Sequence, residues 1–340
     1  MGTPILPHRP IFCPLPLAQR TRSERARQLA TLASQLQRLA RWRSGTACDT
    51  HRMLSRRRFL LATGAVIVVG GGVGGWEVAT HPDQRWKVGN ALGLESEPDF
   101  QPPRSEAEQA SGSLNSHYTG APMGWTISTP SGSLAPKAII FCLHAKGGNH
   151  RMAFDDIRVP DIVAHVGLPV AVAAVDGGMD SYWHKRSDGT DAMSMFLDEF
   201  VPLVEGHVGK LPAAVMGWSM GGYGALLAAE RAVGRFRGVA PAGPALWLRP
   251  GDTAPGAFDS PEDFYANDVF TGVDKLRSST VAIACGTSDP FYNAANHLAS
   301  LMMFPHTQVF SQGHHDGAFW RSVAPTQLRA IAPALGLTPS

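Results

Sequence analysis

Residues Ala214–Glu230 read AVMGWSMGGYGALLAAE. A short apolar run feeds Gly217-Trp218-Ser219-Met220-Gly221, and a run rich in alanine and leucine follows. The first has the composition of a strand buried on both faces, the second that of a helix. Ser219 then sits in a tight strand-to-helix turn with its hydroxyl projecting above the sheet. Glycines two residues to either side are needed there, because neighbouring backbone comes too close for a Cβ. The helix N-terminus also favours negative charge developing at that point. Gly-x-Ser-x-Gly alone is a pattern that chance supplies often. The strand before it and the helix after it make Ser219 a candidate nucleophile rather than a turn serine.

The same alternation extends outward. Strands are predicted at Trp125 to Ser128, Ala138 to Leu143, Pro169 to Val175, Ala213 to Gly217, Gly238 to Ala240, Val281 to Cys285 and Thr307 to Phe310. Helical patterns fall near Pro160 to Val166, Ala192 to Val208, Met220 to Val233, Phe291 to Leu301 and Gly317 to Leu335. Strands separated by helices imply an α/β fold with a mostly parallel, doubly wound sheet and helices on both faces. No internal repeat appears. One interval breaks the rhythm: Pro241 to Ser279, before the penultimate strand, holds Trp247, Phe258, Phe264, Tyr265 and Phe270. Within it Ser260-Pro261-Glu262-Asp263 has the form of a capped helix start. An aromatic insertion after a strand's carboxyl end is where a cap over a ligand crevice sits. An insertion that only packs on itself fits the sequence equally well.

A serine hydroxyl needs a base. With the chain order Ser, acid, His of this architecture, the candidates among 13 histidines are His297, His306, His314 and His315. His297 lies in a helical pattern and His306 opens a strand. Only His314 and His315 lie in a loop straight after the last strand, in FSQGHHDGAFW. The acid should follow the penultimate strand, where Asp289 stands four residues beyond Cys285. An aspartate before proline at a helix start is also a good N-cap. The two roles are compatible if they use different carboxylate oxygens.

Charge is unevenly placed along the 340 residues. Before Phe59 there are twelve Arg and no Lys against Glu24 and Asp49, a local +10, which leaves 18 basic and 26 acidic residues, or −8, for the rest. A basic leader on a mildly acidic body does not imply a nucleic-acid partner. Ser55 to Trp76, SRRRFLLATGAVIVVGGGVGGW, resembles a twin-arginine export signal, with Ser55-Arg56-Arg57-Arg58-Phe59-Leu60 as its head. Translation starting at Met53 would bring that signal to the N-terminus. No small-x-small cleavage site follows it, and Phe59 to Val78 is long enough to cross a bilayer, so a retained anchor and a cleaved signal both stand. The expected organisation is a basic leader at 1–54, the signal or anchor at 55–79, a Pro-, Ser- and Glu-rich linker at 80–120 and a catalytic domain at 121–340. Of four cysteines, Cys142 and Cys285 lie in strand-like runs on different central strands. They read as buried small hydrophobes rather than a disulfide.

Five stretches, FCLHAKGG, VDGGMDSYWHKRSDGTD, GWSMGGYGALL, CGTSDPF and GHHDGAFW, together resemble the putative-esterase branch of the α/β-hydrolases. This is the group around esterase D and the mycolyltransferase-like acyl transferases, with exported bacterial esterases among them. The resemblance covers Trp125 to Pro333. It aligns His315 with the base and places His314 where relatives usually carry glycine. It aligns His144-Ala145-Lys146-Gly147-Gly148 with a His-Gly-x-Gly-Gly loop, so the backbone N–H groups of Lys146 and Met220 are the expected oxyanion donors. Ala145 in place of glycine requires a negative φ, and the Lys146 ammonium is expected to point outward.

Tyr182, Trp183 and Trp218 are candidate substrate-lining residues, with Trp218 equally readable as packing. His184 lacks a second ligand at metal spacing, and Asp188 and Asp191 read as turn and cap residues. The expectation is an exported serine esterase with triad Ser219, Asp289 and His315, no cofactor and no metal, acting on a small-molecule or lipid ester. The alternatives are acyl transfer to a sugar or lipid hydroxyl, and a non-catalytic binding protein on the same scaffold.

Overall fold

The computed structural model describes residues 100–132 and 134–340. The leader and signal expected at 1–79, and residues 80–99 of the linker, lie outside these residues. Eight strands form one sheet: β1 (Glu108–Asn115), β2 (Pro122–Thr129), β3 (Ala138–Leu143), β4 (Val170–Val175), β5 (Ala213–Trp218), β6 (Gly238–Ala242), β7 (Thr280–Gly286) and β8 (Thr307–Ser311). Their order is β1-β2-β4-β3-β5-β6-β7-β8. β2 pairs antiparallel with both β1 and β4, and the remaining pairs are parallel. Every residue of β3, β4, β5 and β6 is buried, as the unbroken apolar runs require when helices cover both faces.

Two core layers flank the sheet. Helices α1 (Met152–Asp155), α2 (Val159–His165) and α7 (Gly317–Ile331) bury Phe154, Ile157, Ile162, Phe319 and Leu328 on one face. On the other face are α3 (Val201–Val208), α4 (Met220–Arg231) and α6 (Tyr292–Leu301), which pack with Phe141, Phe200, Leu226, Phe236 and Leu298. The helical pattern expected over Ala192 to Val208 is one short α turn, a π stretch at Met195–Phe200 and then α3. The π stretch carries Phe196 and Phe200 into edge contact with Phe141.

One expectation is corrected. The fold does not begin at 121, because Glu108–Asn115 forms edge strand β1 in full register with β2. Its residues are almost all exposed, so it has no apolar alternation to betray it. It is held by backbone pairing, by a 2.7 Å hydroxyl contact between Ser111 and Thr126 and by the Trp125 ring lying over Gly112. Ahead of it, Ser105 donates twice to Asp161 Oδ1 and Arg158 donates to the Pro102 carbonyl. Cys142 and Cys285 are free and buried, on strands three places apart in the sheet. At about 4.8 Å per step that separation exceeds disulfide reach, and burial pushes both thiols well above their ordinary pKa. Among the described residues no helix is long and apolar enough to cross a membrane.

The insertion after β6 packs on α4 through buried Val269, Val273 and Leu276. Its own helix α5 (Pro261–Ala266) starts at Ser260, whose hydroxyl accepts from the Asp263 N–H. Tyr223 of α4 donates its hydroxyl to the Asn267 carbonyl at 2.7 Å, fastening the two together.

Candidate active site

Ser219 joins β5 to α4 with φ 53° and ψ −116°, a sparsely populated conformation held by its surroundings. Its N–H donates to the Ala242 carbonyl, and its own carbonyl accepts from Tyr223 and Ala245. A Cβ on Gly217 would lie 2.2 Å from the Gly221 carbonyl oxygen, and one on Gly221 would lie 2.0 Å from that of Leu143. Both glycines are therefore demanded by close backbone approach, and the turn presses α4 onto the end of β3.

Asp289 leaves the end of β7, and its two carboxylate oxygens do different work. Oδ1 accepts from the Phe291 N–H at 2.8 Å, ordering the start of α6, while Oδ2 accepts from His315 Nδ1 at 2.7 Å. With its proton on Nδ1, His315 presents the Nε2 lone pair to the Ser219 hydroxyl, 2.8 Å away. The Asp289 side chain has no exposed surface, whereas that of His315 is 19 % exposed. The His315 ring is held between Phe291 and Trp320, with centroids at 5.1 and 5.2 Å. His314 is buried beside it, and it is His315 that reaches Ser219. His306 turns to the Phe304 carbonyl and His297 packs on Phe270.

The loop after β3 brings Lys146 towards the elbow. Ala145 keeps a negative φ and Gly147 takes φ 75°. Gly147 donates to the Met179 carbonyl and Gly148 to that of Ala145. Among the described residues the Lys146 N–H donates to no acceptor, and the Met220 N–H, first in α4, has no intrahelical partner.

His144 organises this loop, a role that sequence reasoning missed. Its Nδ1 donates to the Ala145 carbonyl at 2.8 Å, and its Nε2 accepts from the Gly177 N–H at 2.9 Å. That pairing needs neutral imidazole, and burial holds its pKa below the ordinary histidine value. The available signal was a histidine directly after an all-apolar strand. The Lys146 side chain is exposed, as expected, with its ammonium 5.7 Å from the centre of the Tyr182 ring.

Two of the expected lining residues do not line the site. Trp218 and Trp183 have no exposed surface. Trp218 faces the core layer under α2 and α7. Trp183 is wedged against Gly177 and Gly224, and its indole N–H reaches the His144 carbonyl at 3.4 Å. It fastens the loop after β3 to α4. Tyr182, with φ 50°, is also buried and packs on Trp247, at 5.6 Å between centroids.

His184 has Nδ1 on the Lys185 carbonyl and Nε2 on that of Ala257, and it stacks on Phe258. It thus secures the insertion. Arg186 adds two bonds to Asp259 and one to the Gly256 carbonyl. Asp188 accepts from Thr190 and Asp191 caps at Ser194, so both are local turn and cap residues. A cavity of about 330 Å³, lined by Ser128, Val163, Leu168 and Val172, lies by the start of β4, at the opposite end of the sheet from Ser219.

The family model described as putative esterase matches residues 159–320, from the start of α2 into α7. No curated protein matches the chain by sequence. Solved structures do. A ferulic acid esterase is similar at 17 % identity and TM-score 0.59, over 68 % of this chain and 100 % of that one. An S-formylglutathione hydrolase from Agrobacterium tumefaciens is similar at 17 % identity and TM-score 0.56, over 70 % and 99 % of the two chains. One from Staphylococcus aureus is similar at 17 % identity and TM-score 0.54, over 68 % and 100 %. At these identities the structural likeness is one of fold, and the family match adds the chemistry. Residues 159–320 thus match the putative-esterase family, and the fold is the one shared by these ester hydrolases.

Proposed function

We propose that Ser219 is the nucleophile of a serine esterase, with His315 as its base and Asp289 as the acid that orients His315. The observation that carries this reading is the unbroken chain of two short hydrogen bonds, Ser219 Oγ to His315 Nε2 and His315 Nδ1 to Asp289 Oδ2. As Oγ attacks an ester carbonyl, Nε2 takes its proton and the buried Asp289 carboxylate stabilises the imidazolium that forms. The backbone N–H groups of Lys146 and Met220 receive the oxyanion, a contribution of about 10² to 10³ in rate per donor. The imidazolium then returns the proton to the departing alcohol. Water, activated by the same imidazole, releases the acyl group. Carboxylic esters of small molecules are the proposed substrates, and every step is supplied by this chain's own side chains and backbone.

Labelling with a fluorophosphonate probe and mapping the adduct tests the assignment: the expected adduct is on Ser219 and disappears in Ser219→Ala. Turnover of a p-nitrophenyl ester left unchanged by that substitution would end the proposal. Including labelled acyl donor with trehalose or glycerol separates hydrolysis, which yields free acid, from acyl transfer, which yields a new ester. We further propose that the enzyme is exported, on the support of Ser55–Leu60 alone. An unchanged distribution between cytoplasm and envelope after Arg56→Lys/Arg57→Lys would refute this.

A further inference from the structure

We propose that Lys146 selects esters carrying an anionic group close to the scissile carbonyl. The proposal rests on Ser219 being the nucleophile and names the class of substrate that reaches it. Lys146 belongs to a loop whose backbone is fixed on both sides, by His144 and Gly148 on the Ala145 carbonyl and by Gly147 on that of Met179. Its position relative to the elbow is thus set by the fold, while its side chain remains exposed. The ammonium lies 5.7 Å from the centre of the Tyr182 ring and, among the described residues, forms no ion pair or hydrogen bond.

That ring begins an aromatic wall. Tyr182 meets Trp247 at 5.6 Å, Trp247 meets Phe291 at 5.3 Å, and Phe291 meets His315 at 5.1 Å. The cation and the base therefore stand at the two ends of one run of ring contacts. A lysine ammonium is a strongly hydrated point charge. Placed on an aromatic face without a carboxylate partner, it remains available to an incoming anion. Two other charges face this corner. Arg186 is already committed to Asp259, and Asp180, which acts on Tyr182 from the opposite side of the charge balance, opposes anions. Lys146 is the attractive element and Asp180 the repulsive one, so substitutions at the two positions should move selectivity in opposite directions.

Two matched ester pairs test this, one for each side of the scissile bond: mono-4-nitrophenyl glutarate against 4-nitrophenyl valerate, and 4-acetoxybenzoate against its methyl ester. The quantity read is the ratio of kcat/KM for the anionic and neutral members within each variant, which cancels changes in overall activity. In one pair, Lys146→Met is expected to lower that ratio about tenfold and Asp180→Asn to raise it, with both effects shrinking as salt is added. The pair that responds tells whether the anion sits on the acyl or the alcohol side. Lys146→Gln serves the same purpose if the methionine variant does not fold. Ratios in both pairs unchanged within twofold by either Lys146 variant would overturn the proposal. Fluorophosphonate labelling run alongside keeps the two readings apart. Label on Ser219 with unchanged ratios sinks the selectivity proposal alone, and absence of label sinks the nucleophile assignment.

Discussion

The elbow and the insertion both border Ser219, but they are held in different ways. At the elbow, β5, Ser219 and α4 are fixed by backbone against backbone, with Gly217 and Gly221 in contact with carbonyls. The insertion is held largely through side chains: Arg186 on Asp259, His184 on the Ala257 carbonyl, Tyr223 on the Asn267 carbonyl and Ser260 capping α5. Backbone contacts tolerate no added atom, whereas side-chain fasteners can be changed one at a time. Chemistry is thus built into the rigid part, and access to it into the part that sequence change can retune.

Gly221→Ala should break the comparison hardest. Its Cβ would stand 2.0 Å from the Leu143 carbonyl oxygen, and neither strand nor helix can retreat without opening the core. A loss of about 3 kcal/mol or more is expected, or roughly 6 to 12 °C in Tm for a domain of this size. Fluorophosphonate labelling should fall with it. Thermal denaturation indistinguishable from the unsubstituted protein would show that the elbow is not rigid.

Arg186→Ala acts on the insertion and should have a smaller effect. The Arg186 guanidinium holds the Asp259 carboxyl well below the usual carboxylate range, mainly through its hydrogen bonds, and it also ties the Gly256 carbonyl. Because the pair is partly solvated, its loss is worth about 1 kcal/mol. If Trp247 and Phe258 then sit less firmly against Tyr182, KM should rise about fivefold with kcat nearly constant, the signature of lost uniform binding. A fall in kcat at constant KM would instead mean that the insertion positions the reacting groups.

The same contrast explains what could be read from the sequence. Buried parallel strands advertise themselves as apolar runs, and β3 appeared in the sequence with the bounds it has in the structure. The double duty of Asp289 was legible because both roles are local, one to a neighbouring N–H and one to a loop at a known place in the architecture. β1 was not legible, since an edge strand open on both faces needs only backbone pairing. The enclosure of Trp183 and Trp218 was hidden because a tryptophan beside a site has the same sequence signature whether it faces ligand or core. For Trp183 the decision lies in Gly177 and Gly224, which make room for its ring, and neither is its neighbour in sequence. The destination of the Lys146 ammonium depends on where Tyr182 falls, thirty-six residues away along the chain.

Glu230 sits where the two regions meet, in the last turn of α4 against Gly272 of the insertion. It is buried, and its Oε1 has no hydrogen-bond partner among the described residues. Burial pushes its pKa up to about 8, with Asp268 adding to the rise and Lys275 and Arg231 opposing it. The folded protein therefore keeps a proton on Glu230 that the unfolded chain releases at ordinary carboxylate pH. Between those two values the native state binds more protons than the unfolded one, so the stability from this group is complete at low pH and is lost as pH rises towards 8. Glu230→Gln, which cannot ionise, should remove that dependence. Its Tm relative to the unsubstituted protein should climb steadily between about pH 5 and pH 8, at up to about 1.4 kcal/mol per pH unit, with turnover changed least of the three substitutions. A Tm difference constant across that window would mean that Glu230 is already ionised in the folded protein, and that the junction tolerates a buried charge.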